Sequence, residues 1–565
     1  MRMTDFFQTP PQLGNQFTED RALRSLLARV LGPDVHAAVT PNLARLGARA
    51  AGDIACLGEA AEAEPPRHVP YDPWGRRTDD IVTSEAWRAL DRVSAEEGIV
   101  ASAYERAFGA ASRVDQLARL YLFHPSSAVY SCPLAMTDGA ARCLELHAGD
   151  DERLRAAFGH LTARDPTQFW TSGQWMTERI GGSDVSGTST MARQEVDGAW
   201  RLDGAKWFTS ATTSQMAMTL ARTTGAEAGS AGLSLFQVEL RDAEGRLQGI
   251  EVHRLKDKLG TRALPTAELT LRGTPATLVG GVGHGVRKVA SMLTVTRVYN
   301  ACCAVAGMRR AVALASDYAT RRVAFGVTLA EHPLHVETLA WMQVETHGAL
   351  QLVFHIGVLL GREECGSASD DDRALLRLLV PIAKLYTAKQ AVAVASEAIE
   401  SFGGAGYIED TGLPRLLRDA QVLSIWEGTT NVLSLDVLRA LGRSDALQVW
   451  HGDVARRVAA MSAGVLSESV AQVERAVARV VAHVHSLASK GREAAEGGAR
   501  ALAYAMARTT IGVLLLEQAA WSVTHEPAEA QQRSVAAALR WCARDLAPLI
   551  DADAVRRAGS RALVW

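Results

Sequence analysis

Ser424-Ile425-Trp426-Glu427-Gly428-Thr429-Thr430-Asn431 is the stretch on which the reading of this chain turns. Two large apolar residues precede a carboxylate and glycine follows it, so Ile425 and Trp426 read as a strand-like run that delivers Glu427 onto a glycine turn. Beside apolar side chains a carboxyl group loses solvation, its pKa rises and it becomes a stronger base. That is the profile of a group that removes a proton from carbon. By residue type alone a glutamate belongs on the solvated surface, so the run takes its meaning from what stands upstream.

Two blocks stand there. One is Gln174-Trp175-Met176-Thr177-Glu178-Arg179-Ile180-Gly181-Gly182-Ser183-Asp184 and the other is Lys206-Trp207-Phe208-Thr209-Ser210. Glycines at 181 and 182 remove the steric barrier to backbone N–H groups approaching phosphate or ring oxygens. Trp207 and Phe208 offer a flat apolar wall, and Thr209 a hydroxyl. Taken singly, these are a turn and a hairpin core pair. Two further blocks have equally plain readings: Glu400-Ser401-Phe402-Gly403-Gly404-Ala405-Gly406-Tyr407 as a helix end with a glycine cap, and Arg321-Arg322-Val323-Ala324-Phe325-Gly326 as a basic helix end or a diphosphate clamp.

The 565 residues exceed what one core holds and predict three or four domains. Apolar residues make up 48% and charged residues 22%, the balance of a globular protein. The longest apolar run, Ala349 to Leu360, is interrupted by Gln351 and His355, reads as a buried helix and predicts no membrane span. Met1 to Phe7 carry one basic residue and no apolar run, which predicts no leader. Seven scattered cysteines without a Cys-x-x-Cys pair predict reduced thiols in a cytoplasmic protein. His483 and His485 would face different sides of a helix, and no metal is indicated. The net charge of −3 gives no global attraction to nucleic acid. From Arg443 onward, fourteen Arg and one Lys face five Asp and seven Glu. Arg456, Arg457, Arg475, Arg479, Arg556 and Arg557 there read either as a phosphate-tracking face or as solvated helix faces.

Along the chain, residues 1–168 read as a helical domain broken by Pro-containing segments such as Tyr71-Asp72-Pro73-Trp74-Gly75. Residues 169–283 read as a β domain, with Asp197-Gly198 and Asp203-Gly204 as hairpin turns and Ser234–Leu240 as an alternating strand. Residues 284–441 read as a bundle of long helices over 286–320, 333–361 and 372–402. Residues 442–565 read as an extra helical domain with a break from Gly491 to Gly498. The layout is α+β and multidomain, and no Gly-x-Gly-x-x-Gly follows a strand.

In this order and at these separations the five blocks resemble the acyl-CoA dehydrogenase family over roughly residues 70 to 440. The resemblance implies an FAD flavoprotein in which Glu427 is the catalytic base and hydride passes to the flavin. It implies that Met176, Thr177, Gly182, Ser183, Trp207, Thr209 and Ser210 hold the flavin, with Gly428, Thr429 and Asn431 closing on it. Arg322, Phe325, Gly403 and Gly404 match contacts to the FAD of a neighbouring subunit, and Arg297 an arginine near the CoA channel. Some members carry the base immediately before the position of Arg297; here Thr296 stands there. Glu400 departs from the glutamine that many members have. Further stretches, Cys132–Thr137, Arg254–Gly260 and Leu435–Arg439, and the C-terminal extension are similar to the bacterial alkylation-response (AidB-type) branch. That branch implies a homotetramer acting on a short or branched acyl-CoA such as isovaleryl-CoA, a separate electron acceptor, and double-stranded DNA bound through residues including Arg439. The alternatives are a metabolic dehydrogenase or an acyl-CoA oxidase-like enzyme without a DNA role.

Overall fold

The computed structural model describes residues 8–443, 445–461 and 464–565; the leader reading of Met1 to Phe7 lies outside them. The described chain forms two compact units. One gathers residues 49–107 and 119–299 around a sheet, and the other gathers 8–48, 108–118 and 300–565 into a mainly helical body. The helices expected to form an N-terminal domain are thus shared between the units.

In the sheet unit, Arg67–Tyr71 (β1) and Arg77–Val82 (β2) form an antiparallel hairpin where the sequence suggested only a helix break. Tyr71 to Gly75 supply its tip, and Asp72 Oδ1 accepts from the backbone N–H groups of Trp74 and Arg76, an Asx turn. Seven strands follow: Ser172–Trp175 (β3), Met191–Gln194 (β4), Trp200–Ser210 (β5), Met216–Thr223 (β6), Leu233–Glu239 (β7), Ile250–Leu255 (β8) and Thr266–Val279 (β9). Pairing runs β6–β4–β5–β9–β7 and returns from β7 to β6, so the sheet closes on itself, with β3 and β8 attached outside the ring. Trp175, Leu202, Phe236, Val238, Leu269 and Leu271 are among the side chains of its buried core.

Closure explains a departure from the alternating pattern expected of β7: six of its seven residues are buried, because both faces are covered. Asp197-Gly198 is a turn, as expected, with Gly198 at φ +85. Asp203-Gly204 is not. It lies within β5, where Asp203 accepts from the Gly273 N–H at 2.8 Å. A Cβ on Gly204 would come within 2.7 Å of the Thr190 backbone, so this glycine allows strands to approach.

In the helical unit, Pro333–Glu364 and Asp370–Glu400 pack side by side, joined by a polar loop in which Ser369 and Asp372 form a reciprocal cap. Helix Arg492–His525 of the C-terminal segment packs on both and on Thr430–Leu441. Gly348 permits that approach: a Cβ there would meet Ile511 at 2.6 Å. The chain breaks at Gly491 alone (φ +78), and the helix runs on through Gly497 and Gly498, over which the backbone of Ile550 passes. Helices Pro333–Glu364, Asp370–Glu400 and Arg492–His525 reach the length and mean hydropathy of a membrane span, against expectation, yet 89%, 78% and 78% of their apolar windows are buried within the fold. They are core helices.

Candidate active site

Within the sheet unit the two upstream blocks meet. The Trp207 N–H donates to the Thr177 carbonyl at 2.9 Å, tying β5 to the segment after β3. Beneath that join lies an ion pair. Lys206, wholly buried, donates to Glu178 Oε1 at 3.2 Å and to the Leu220 carbonyl at 3.0 Å. Glu178 also accepts from the backbone and hydroxyl of both Ser189 and Thr190. Burial works against the charge of Glu178, but Lys206 and these donors outweigh it and hold the carboxyl at about 2. Burial pulls Lys206 the other way, down to about 8, against the attraction of Glu178. Glu178 and Gly181 exchange backbone hydrogen bonds, closing a tight turn with Gly181 at φ +142.

This clamp presents Gly182 and Ser183 on an exposed loop, where their N–H groups donate to nothing among the described residues. A Cβ on Gly182 would strike Thr177 Oγ1 at 2.5 Å, so any other residue there would have to displace that side chain. Two adjacent free donors beside buried Met176 make an acceptor-binding edge.

Register slips between β5 and β9 at Trp207 and Phe208, a β-bulge that re-aims both rings. Phe208 takes φ +57, unfavourable for a bulky side chain, and is 58% exposed. Lys256 Nζ sits 3.8 Å from the Trp207 ring centroid and 4.5 Å from that of Phe208, while bonded to Glu268. Thr209 is fully buried and its hydroxyl donates to the Ala267 carbonyl at 2.8 Å, so its proton is spent within the sheet. Ser210 bonds Thr266 at 3.0 Å.

The residue expected as the base, Glu427, lies in the helical unit. The expected strand-like delivery is corrected: residues 424–427 form a turn between helices Leu413–Leu423 and Thr430–Leu441. The turn is forced into the left-handed region at Glu427 (φ +58) and Gly428 (φ +101). A carboxylate residue held at positive φ stores strain that the surroundings must offset. Lys384, wholly buried on helix Asp370–Glu400, supplies part of that constraint by donating to the Gly428 carbonyl at 2.6 Å. Glu427 is half-buried, while Thr429 and Asn431 are exposed at the start of helix Thr430–Leu441, whose first N–H groups no side chain caps. Thr296, the alternative position for a base, is a buried hydroxyl bonded to Leu293.

Elsewhere in this unit, Phe325 and Gly326 form the two-residue tip of a hairpin between Val323–Ala324 and Val327–Thr328, both at positive φ. Phe325 is 98% exposed, and Arg322 beside it is exposed with no acidic partner among the described residues. Gly403 (φ +59) opens a short 3₁₀ turn after helix Asp370–Glu400, with open space around it and Gly404, and Glu400 is solvated. Arg297, which belongs to the sheet unit, is half-buried on helix Ala290–Arg321.

Arg439 is an exposed side chain at the last turn of helix Thr430–Leu441, 4.0 Å from Asp436. The phosphate-tracking face is corrected at one position and weakened at others. Arg457, 13% exposed, is held between Asp453 and Glu517, and Arg456, Arg475, Arg479 and Arg557 each pair with an acid.

Two residues that matter to the geometry carried no role in the sequence reading: Glu178 and Lys384. Lys384 had a signal, a lone cation inside the apolar run Leu378 to Leu385.

Comparison with known proteins accounts for all four stretches of the chain. Residues 8–161 match the adaptive response protein AidB N-terminal domain, and 173–274 the acyl-CoA dehydrogenase middle domain. Residues 283–442 match the acyl-CoA dehydrogenase C-terminal domain, and 445–563 an acyl-CoA dehydrogenase 11 C-terminal domain-like family. The chain is 42% identical over 563 residues to acyl-CoA dehydrogenase family member 11 of Caenorhabditis elegans, covering 97% of this chain and 90% of that one. The crystal structure of that worm protein in complex with C11-CoA superposes over the whole chain and 97% of its own with a TM-score of 0.95. The putative acyl-CoA dehydrogenase AidB of Escherichia coli is 34% identical over 68% of this chain and 71% of its own. The apo-form of Bd2924 is 52% identical, with a TM-score of 0.84 over 91% of this chain and 99% of its own.

Proposed function

The chain belongs to the acyl-CoA dehydrogenase family of FAD-dependent oxidoreductases, which act on acyl-CoA thioesters, and on that premise we propose that it desaturates a straight-chain acyl-CoA of medium length with Glu427 as base. When bound, FAD supplies the two-electron acceptor for the hydride leaving the β-carbon. Everything else falls to the chain's own residues. Glu427 takes the α-proton and becomes a neutral carboxylic acid, and Lys384 keeps the Gly428 carbonyl, and with it the base, from swinging away. Met176, Thr177, Gly182, Ser183, Trp207 and Ser210 would hold FAD, a fit supported by the free N–H pair at 182–183 and the close approach of Gly182 to Thr177.

The observation that carries the reading is a glutamate held at φ +58 by a buried lysine that grips the next residue. Medium chain length is favoured over the short branched acyl group because the relative that matches the C-terminal extension as well as the rest was crystallised with C11-CoA. A separate electron acceptor would reoxidise the flavin. We place the protein in the cytoplasm as a homotetramer, with the exposed Phe325 tip, Arg322, Gly403 and Gly404 facing a neighbouring copy and its FAD, and Arg297 near the CoA.

Anaerobic titration of the FAD-loaded protein with undecanoyl-CoA and with isovaleryl-CoA tests this. Loss of flavin absorbance with undecanoyl-CoA in the native protein, abolished in Glu427→Gln with FAD retained, is expected. Equal bleaching in the Gln variant would sink the base assignment, and bleaching by isovaleryl-CoA alone would restore the short-branched reading.

A second reading, double-stranded DNA binding with a role in the alkylation response, is favoured by the exposure of Arg439 and by the AidB relative. It predicts a duplex affinity that falls steeply with salt and weakens in Arg439→Ala. No salt-dependent binding by the native protein would dismiss it.

A further inference from the structure

The helical unit holds a half-open cavity of about 400 Å³ that has no part in the chemistry above. Its walls are helices Arg21–Val30, Pro333–Glu364, Arg492–His525 and Ala528–Cys542, the last two from the C-terminal extension. Polar groups in its floor are already oriented. Arg29, itself largely buried, donates to Glu517 at 2.8 Å, to Gln518 Oε1 at 2.6 Å and to Gln351 Oε1 at 2.9 Å. A guanidinium has only donors, so both carboxamides must turn their oxygens to it. Gln518 then spends its nitrogen on Ser25 Oγ at 2.8 Å. Gln351, 5% exposed, lines the cavity with a nitrogen that donates to nothing among the described residues.

The remaining lining has the same sense. Ser25 accepts from Gln518, and its own hydroxyl hydrogen meets no acceptor among the described residues. Burial pushes His347 down to about 4, so the ring is neutral. Its Nε2 lies 2.6 Å from the Gln343 amide nitrogen, which leaves Nδ1 to carry the proton. At the rim, Glu529 pairs with both Arg21 and Arg533, at 2.5 and 3.3 Å. Arg24 contacts only the Thr18 carbonyl, at 3.1 Å, and has no acidic partner among the described residues. Donors therefore converge from several sides on a space of ligand-pocket size. Arg21, Arg24 and Arg533 line it against two carboxylates, Glu529 and Glu526, the latter accepting from the Ser522 hydroxyl, which leaves one positive charge in excess.

From this geometry we propose that the cavity is a binding site for a small metabolite carrying a phosphate or carboxylate group, held by Arg24 and Gln351 with its body against Leu350, Leu515 and Ala537. A charge-assisted bond to Arg24 and a fixed donor on Gln351 match an anionic oxygen. The site exists only where the extension packs on the first helix, so occupancy would link the two ends of the chain and raise the melting temperature.

The test is calorimetric titration of the full-length, FAD-loaded protein with inorganic phosphate and, separately, with succinate at constant ionic strength. Saturable binding of one of them is expected, and which one names the group recognised. Arg24→Ala, on an exposed side chain, and Ala530→Phe, which fills the cavity without removing a donor, should each weaken it about tenfold or more. Absence of saturable binding by both probes overturns the proposal. So does native-like affinity in both variants, because the anion would then be bound elsewhere.

Discussion

Replacing Lys206 by methionine separates what the buried pair contributes to stability from what it contributes to position. A carboxyl held at about 2 against its usual 4.5, as at Glu178, adds ~3 kcal/mol at neutral pH. Because its pKa is depressed in the folded state, that contribution is complete above pH 4.5 and is lost as the pH falls toward 2. Lys206 held at about 8 against 10.5 subtracts a similar ~3 kcal/mol. The intact pair is thus close to neutral in free energy. Breaking it from one side is not, because Glu178 keeps its buried charge and loses its counter-ion, at ~3–5 kcal/mol. Lys206→Met should therefore lower the urea midpoint and shed FAD. In Lys206→Met/Glu178→Gln about 2 kcal/mol should return as the charge goes, while FAD retention stays poor, because the neutral amide grips Ser189 and Thr190 less well. Urea titration of both variants by tryptophan fluorescence, with flavin content measured on the purified proteins, reads both quantities. A loss below ~1 kcal/mol in the single variant, or a double variant no more stable than Lys206→Met alone, would refute the argument.

Three further outcomes are expected. Lys384→Met should lower the rate of flavin reduction about a hundredfold with little change in thioester affinity, since a base displaced by about 1 Å loses alignment while the binding contacts stay; stopped-flow reduction against substrate concentration separates the two, and a pure affinity loss would contradict it. Burial holds His355 at about 3, so below pH 6.5 the unfolded chain binds a proton that the folded one refuses, and stability falls on acidification from pH 6.5 toward 3; His355→Leu should flatten the urea-midpoint profile in that window. Phe325→Asn suits the left-handed φ of the hairpin tip and removes its exposed ring; sedimentation velocity should show smaller assemblies, and an unchanged size distribution would free the tip of any role in association.

Legibility in the sequence followed locality. The long helices were written in periodic apolar residues, and their ends came within a few residues of 290–321, 333–364 and 370–400. The Asp197-Gly198 turn was readable because its φ is a property of two residues. Asp203-Gly204 has the same chemistry but lies under another strand, so its glycine answers to Thr190, fourteen residues upstream. The motif around Glu427 singled out that glutamate, yet its backbone was misjudged. Ile425 and Trp426 look like strand residues, yet both N–H groups turn back to the Val422 carbonyl, and Lys384, forty-three positions before the glutamate, holds the Gly428 carbonyl that follows. Arg457 shows the converse limit: on paper one solvated arginine among several, it is held between Asp453 and Glu517. Burial of a charge is decided by partners that no local window contains.

The ring of strands that closes through β9 has a consequence for how the chain comes into being. β9 pairs with β5, β7 and β8, and it is the last of the seven strands to be synthesised. Until residue 279 leaves the ribosome, β5 and β7 each lack the neighbour that covers one edge. At roughly 5–20 residues per second, the interval from the end of β5 to the end of β9 lasts several seconds, during which apolar strands such as β7 have open edges. Nascent chains are then most open to mispairing and to chaperone capture. A pause introduced by slow codons just before β9 should lower soluble yield more than the same pause placed after it.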